Sequence, residues 1–308
     1  MLKVVLYLLP ISGMMLLREL SELSRVKISG AFLPEKFPDE TADQRNFLEE
    51  AKIPYTIPTK LDKPRVKNWL QERKPDIALS VGYDKLLPKS LIEIPPLGTV
   101  NMHPALLPEY RGANPYFWVI KNREPYSGAT LHLMDENFDT GPILSSHKVE
   151  LDLTETVGEL FYTLNELGCT LIVELIKQIN NKGMPEAKQQ REVDELSKAP
   201  RVEEKHLRID WKEKYKEVDA HVRAGNPFFG AQTTFRGAEL KVYEVERADF
   251  EQKASPGSIK ATDEGPLVRC ADSWVKLKTV RMGHYYQGSG QMFQKREKQA
   301  LSVLSKVI

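Results

Sequence analysis

Cysteine is scarce: the chain of 308 residues holds two, Cys169 and Cys270. Two thiols cannot build a disulfide framework or the ligand shell of a structural zinc site, so both are expected to pack as small hydrophobes. Long apolar runs are missing too. The most apolar stretch, Val4 to Leu17, is broken by Pro10, Ser12 and Gly13, short of the ~18–20 residues that a membrane span needs. Its opening, Lys3 followed by Val4 to Leu9, has the outline of a secretion signal. No small-residue cleavage site follows and Arg18-Glu19 comes next, so a first buried strand is expected instead. A cytoplasmic location and no membrane partner follow as expectations. Excess charge of either sign is lacking as well, with 44 Lys and Arg against 43 Asp and Glu. What is present, 41% hydrophobic and 28% charged residues, excludes a disordered or collagen-like chain and suits about two globular domains.

The near-neutral total conceals an asymmetry. From Lys205 onward, 19 Lys and Arg face 13 Asp and Glu, and the acidic excess lies before that point. Two readings stand: a polyanionic partner for the C-terminal part, or drift among solvated surface charges.

Strand and helix signals alternate through the first half. Val4–Leu9 is a continuous apolar run, the pattern of a strand buried on both faces; Ile77–Val81 and Gly98–Met102 are expected to be of the same type, and Val26–Phe32 reads as a further strand. Ala129–Leu133 and Ile143–Leu151 complete the strand set. Helices are expected around Met14–Leu20 and over Gln44–Lys52, Arg65–Arg73 and Asn114–Asn122. A long helix should begin near Thr156, which forms a capping box with Glu159, and should bury Leu160, Leu164, Leu167, Leu171 and Leu175. This order implies an α/β, Rossmann-like, doubly wound and mostly parallel sheet. Beyond it the apolar periodicity stops. Residues 1–183 are therefore expected to form one domain, 184–204 a linker, and 205–308 a second domain. That second part has a helix near Tyr215–Ala224, then strand-like segments at Gln232–Phe235, Leu240–Val245, Gly257–Ala261, Leu267–Ala271 and Trp274–Val280. Turn signals such as Arg236-Gly237 separate them. Short strands at this spacing suggest a small, OB-like β-barrel.

The chemistry-bearing residues crowd between Thr99 and Leu144. Asn101 and His103 are two apart, so on a strand they share a face, at the carboxyl end where open α/β sheets place ligands. Asp139-Thr140-Gly141 falls in a loop between two later strands. Singly, each has a plain structural explanation: a turn cap, a core histidine, a turn sequence. Jointly, Asn101-Met-His103-Pro-Ala-Leu-Leu-Pro108-Glu-Tyr-Arg111-Gly112, then Gly128-Ala-Thr130, then Asp139-Thr-Gly141 resembles the 10-formyltetrahydrofolate-dependent formyltransferase family. The second half is similar to the C-terminal domain of its methionyl-tRNA members, through Arg208-Ile-Asp-Trp211, Val222-Arg-Ala-Gly-Asn-Pro227 and Gly230-Ala-Gln-Thr.

The resemblance implies formyl transfer to a primary amine, with Asn101, His103 and Asp139 as the catalytic trio. Asn101 and a protonated His103 would donate to the developing oxyanion, and Asp139 would favour the imidazolium and take the amine proton. It implies 10-formyltetrahydrofolate as formyl donor and no metal. The folate contacts would come from Leu86, from Ala105, Leu106, Leu107 and Pro108, and from Asp135, Glu136, Asn137 and Phe138. Arg111 would either face the acceptor or support its loop, and His132, inside a strand, is expected to be structural. The acceptor implied is methionyl-tRNA, with the initiator tRNA as its carrier, and an amino-sugar nucleotide is the alternative. Methionyl-tRNA members carry a basic, glycine-containing loop after the second strand. Here the same place, Pro34 to Arg45, holds Glu35, Asp39, Glu40 and Asp43 against Lys36 and Arg45, the opposite sign to a phosphate grip.

Overall fold

The computed structural model describes residues 1–191, 196–235, 237–283 and 286–296. Arg236 of the expected turn, 192–195 of the expected linker and 297–308 of the second domain lie outside the described residues. By contact the chain divides into two compact units. The first comprises residues 1–112, 127–149 and 162–198; the second comprises 113–126, 150–161 and the described residues from 199 onward.

The first half runs β1 (Leu2–Leu8), α1 (Pro10–Ser21), β2 (Val26–Phe32), α2 (Ala42–Glu50), β3 (Tyr55–Thr56), α3 (Pro64–Arg73), β4 (Ile77–Val81), α4 (Lys89–Ile92) and β5 (Thr99–His103). It continues with α5 (Pro115–Lys121), β6 (Tyr126–Leu133), β7 (Ile143–Glu150) and α6 (Val157–Lys182). Seven strands form one sheet in the order β3-β2-β1-β4-β5-β6-β7. β1 through β5 pair in parallel, and β6 returns antiparallel to β5. The Val4–Leu8 segment of β1 is fully buried, which is why it reads as an unbroken apolar run rather than an alternating one. α1 begins at Pro10, earlier than Met14, because proline is pre-shaped for the first helical turn. Leu171, Leu175 and Ile176 of α6 pack with β-strand residues Leu6, Leu79, Val100 and Leu131 in one core. The capping box at the start of α6 is formed: the Thr156 amide donates to the Glu159 carboxylate at 2.8 Å and the Glu159 amide donates to Thr156 Oγ1 at 3.3 Å.

The segment expected as a linker carries pairing of its own. Lys188 and Ile143 exchange both backbone hydrogen bonds, at 2.7 and 2.8 Å, and the Tyr110 amide donates to the Ser197 carbonyl at 2.7 Å.

The second unit contains α7 (Glu204–Leu207), α8 (Tyr215–Gly225), β8 (Ala231–Phe235), β9 (Ala238–Ala248), β10 (Ile259–Thr262), β11 (Gly265–Arg269), β12 (Trp274–Met282), β13 (Tyr286–Ser289) and α9 (Gly290–Arg296). Its strands form a separate antiparallel sheet in the order β10-β11-β12-β9-β8. β12 pairs with β9 along its length and with β11 and then β13 on the other edge. Trp211, Val218, Val222, Phe235, Leu277 and Phe293 fill its core. β3, α4, α7, β13 and α9 were not expected from the sequence.

Candidate active site

β5 ends with Asn101 and His103 at the carboxyl edge of the sheet. Its antiparallel neighbour sets His132 opposite Asn101 and Thr130 opposite His103. The loop after β6 then brings Asp139 back over these residues with φ at +56°, a left-handed conformation that Asp tolerates better than most residues. Asn101, His103 and Asp139 therefore meet. Asn101 Nδ2 lies 3.4 Å from Asp139 Oδ1, and His103 Nδ1 lies 3.5 Å from Asp139 Oδ2. His132 meets them too, with Nε2 at 3.1 Å from Asn101 Nδ2 and 3.6 Å from Asp139 Oδ1. His132, expected to be structural, thus borders the trio from the neighbouring strand. The i, i+2 spacing of Thr130 and His132 was the available signal, but the cross-strand register that makes it useful is not written in either strand alone.

Acceptors fix the protons. A carbonyl oxygen only accepts, so His132 Nδ1–H donates to the Leu133 carbonyl at 3.0 Å, while its Nε2 faces both the Asn101 amide and the Asp139 carboxylate. His103 Nε2–H likewise donates to the Tyr110 carbonyl at 2.8 Å. Nδ1 is then the ring atom left for chemistry, and it faces the carboxylate. The Gly112 amide donates to Asp139 Oδ2 at 3.0 Å.

The His103 side chain is 4% exposed and that of Asp139 is 13% exposed. Burial pushes the His103 imidazole below its ordinary range, against the pull of Asp139 and the Tyr110 carbonyl. Burial alone would raise Asp139, but the hydrogen bond with His132, the neighbouring His103 and the Gly112 amide together hold its carboxyl below the usual range. Asp139 thus favours the imidazolium, as expected, and burial of the ring works against it.

Among the expected folate contacts, Ala105 and Leu107 turn their side chains into the core, while Leu106 and Pro108 are half-buried. Thr130 pins this loop: its hydroxyl donates to the Ala105 carbonyl at 2.7 Å and accepts from the Leu107 amide at 3.2 Å. Asp135 spends its carboxylate on its own loop, accepting from the Asn137 amide and the Thr140 hydroxyl. Glu136 and Asn137 are exposed, and Glu136 pairs with Lys89 at 3.5 Å. Leu86 and Phe138 stand out as large apolar side chains left 43% and 64% exposed. A cleft of about 360 Å³ lined by Lys60, Leu61, Asp62, Lys85, Leu86 and Pro88 adjoins the first of them. Leu86, an apolar side chain held in solvent in this cleft, suits a flat aromatic ligand. Arg111 supports the loops rather than reaching outward: its guanidinium grips the side-chain oxygen of Gln190, a residue not expected at the site.

A family model described as formyl transferase matches residues 34–176, and one described as the formyl transferase C-terminal domain matches 201–296. A methionyl-tRNA formyltransferase of Ruminiclostridium cellulolyticum is 32% identical over 241 residues, covering 77% of this chain and 76% of that protein. Among solved structures, HypX from Aquifex aeolicus in complex with tetrahydrofolic acid matches with a TM-score of 0.62 at 22% identity, over 88% of this chain and 47% of that one. The N-formyltransferase from Helicobacter canadensis in complex with folinic acid and dTDP-3-aminofucose matches with a TM-score of 0.65 at 17% identity, over 94% and 99% of the two chains. These two likenesses are of fold. Taken with the two family matches and the 32% identical relative, the chain belongs to the formyl transferase family.

Proposed function

We propose that this protein transfers the formyl group of 10-formyltetrahydrofolate to the amino group of methionyl-tRNA, with Asn101, His103 and Asp139 as the catalytic set. The observation that carries the reading is the meeting of these three side chains at the carboxyl end of β5, in a chain whose 32% identical relative is a methionyl-tRNA formyltransferase. Attack of the amine on the formyl carbon makes a tetrahedral intermediate with negative charge on the former carbonyl oxygen. Asn101 Nδ2–H, whose bond to Asp139 is long at 3.4 Å, turns to that oxygen. His103 Nδ1 takes the proton leaving the amine, and Asp139 stabilises the imidazolium so formed. The same proton then passes to N10 of the folate as the carbon–nitrogen bond breaks. The leaving nitrogen is an aromatic amine, so no covalent enzyme intermediate is required. Leu86, Phe138 and the backbone of 105–108 form the seat for the folate rings.

A second acceptor is favoured by one observation. In the acidic segment after β2, Lys36 pairs with Asp84 at 3.4 Å, and Arg45 donates to the Pro38 carbonyl and Thr41 hydroxyl at 2.7 and 2.8 Å. Both basic side chains are spent locally, an arrangement suited to a small amino-sugar nucleotide rather than an acceptor stem. The test offers labelled 10-formyltetrahydrofolate with methionyl-tRNA and, in parallel, with amino-sugar nucleotides. Formylmethionyl-tRNA as product supports the first reading. Formylated sugar with no formylated tRNA replaces it with the second.

A further inference from the structure

We propose that Gln190 is a positioning residue for the Asp139 carboxylate, supplied by the segment that lies between the two family-matched regions. Those regions end at 176 and resume at 201. The proposal rests on the catalytic role given above to Asp139.

One amide does three jobs. Gln190 Nε2 donates to the carbonyl of Asp139 and to the carbonyl of Gly141, each at 2.8 Å. Its Oε1 accepts from Arg111 Nε and Nη2, at 3.1 and 2.5 Å. The next residue after Arg111 is Gly112, whose amide holds Asp139 Oδ2. Gln190 thus ties the backbone beneath the carboxylate to the loop that grips the carboxylate itself. The need is physical: Asp139 sits at φ +56°, a conformation costly for a residue with a Cβ unless its surroundings enforce it. Among side chains of this length, only a primary amide donates twice and also accepts from a guanidinium. The segment is anchored on both sides of Gln190, by the Lys188–Ile143 pair and by Ser197, whose carbonyl and amide engage Tyr110 and Glu109. Tyr110 in turn supplies the carbonyl that orients His103.

The test uses the full chain and two variants. Gln190→Met removes every hydrogen bond at similar length; Gln190→Glu keeps the oxygen for Arg111 and loses the donors to the two carbonyls. Both are expected to lower kcat with methionyl-tRNA by about 10- to 100-fold, the scale of an ångström-level misplacement, with the KM for 10-formyltetrahydrofolate within about twofold. Asp139 faces His103 on β5, His132 on β6 and the Gly112 amide. Losing that alignment leaves burial unopposed, so its carboxyl resonance, followed by carbon NMR, should titrate at higher pH in both variants. Thermal melting reports whether each variant folds. Wild-type kcat in Gln190→Met overturns the proposal, provided Asp139→Asn is itself impaired. A lower kcat with an unmoved Asp139 titration also overturns it, because a general brace would act that way. If Asp139→Asn itself turns over normally, the catalytic reading beneath the proposal is what fails.

Discussion

Replacing Asp139 with Asn removes one charge and turns the oxygen that faces Asn101 Nδ2 into a donor, at the cost of one long hydrogen bond. Asn tolerates the left-handed backbone at this position and keeps an oxygen for the Gly112 amide, so the loop should survive. What disappears is the attraction between the carboxylate and a proton arriving on His103 Nδ1. Across 3.5 Å, at an effective dielectric constant of about 20, a full ion pair is worth about 5 kcal/mol. The proton is only partly transferred in the transition state, so about half of that, ~2–3 kcal/mol, is at stake, or roughly 10² in kcat. The sign of the pH effect also follows. Burial holds His103 below its ordinary range and Asp139 opposes burial; without the carboxylate the imidazole falls further. The acid limb of kcat/KM, which reports the neutral imidazole of the free enzyme, should therefore move to lower pH in Asp139→Asn while the plateau drops. Steady-state formyl transfer over the acid-to-neutral range measures both. Turnover within a few-fold of wild type, with the acid limb unmoved, would refute the reasoning.

Asn101→Ala should lower kcat by about 10²–10³, the usual cost of one oxyanion donor, with melting temperature and folate KM nearly unchanged; steady-state kinetics and calorimetry check this. Gly141→Ala would drive a Cβ into the Leu133 carbonyl, so a loss of about 1–3 kcal/mol in a denaturant melt is expected, together with lost activity. If the acceptor is a tRNA, the six-charge basic excess from Lys205 onward must neutralise phosphates, and binding of the full chain should weaken steeply with salt. Salt-independent binding would favour the small acceptor.

Legibility in the sequence followed locality. β1 and β4 could be read because strands buried on both faces leave nearly unbroken apolar runs, and the start of α6 because a capping box is a four-residue signal. β3 could not, since it is two residues, Tyr55–Thr56, held by pairing with β2. Asn101 and His103 were legible as a same-face pair, and Asp139 through the joint motif. His132 and Gln190 were not. His132 reaches the site through the β5–β6 register, and Gln190 through hydrogen bonds to residues about 50 and 80 positions earlier in the chain. Periodicity carries no information at such separations. Residue types showed the carboxylate near His103 but not the depth of its burial.

The central claim is direct transfer of the formyl group at the Asn101–His103–Asp139 site, and a rapid-quench single turnover tests it most directly. Enzyme in excess is mixed with 10-formyltetrahydrofolate carrying a labelled formyl group and with methionyl-tRNA. The account predicts one N-formylated acceptor for each folate consumed, no label on the protein at any time, and loss of that transfer in His103→Ala and Asn101→Ala. Label trapped on the protein, or released as formate without formylated acceptor, would contradict it.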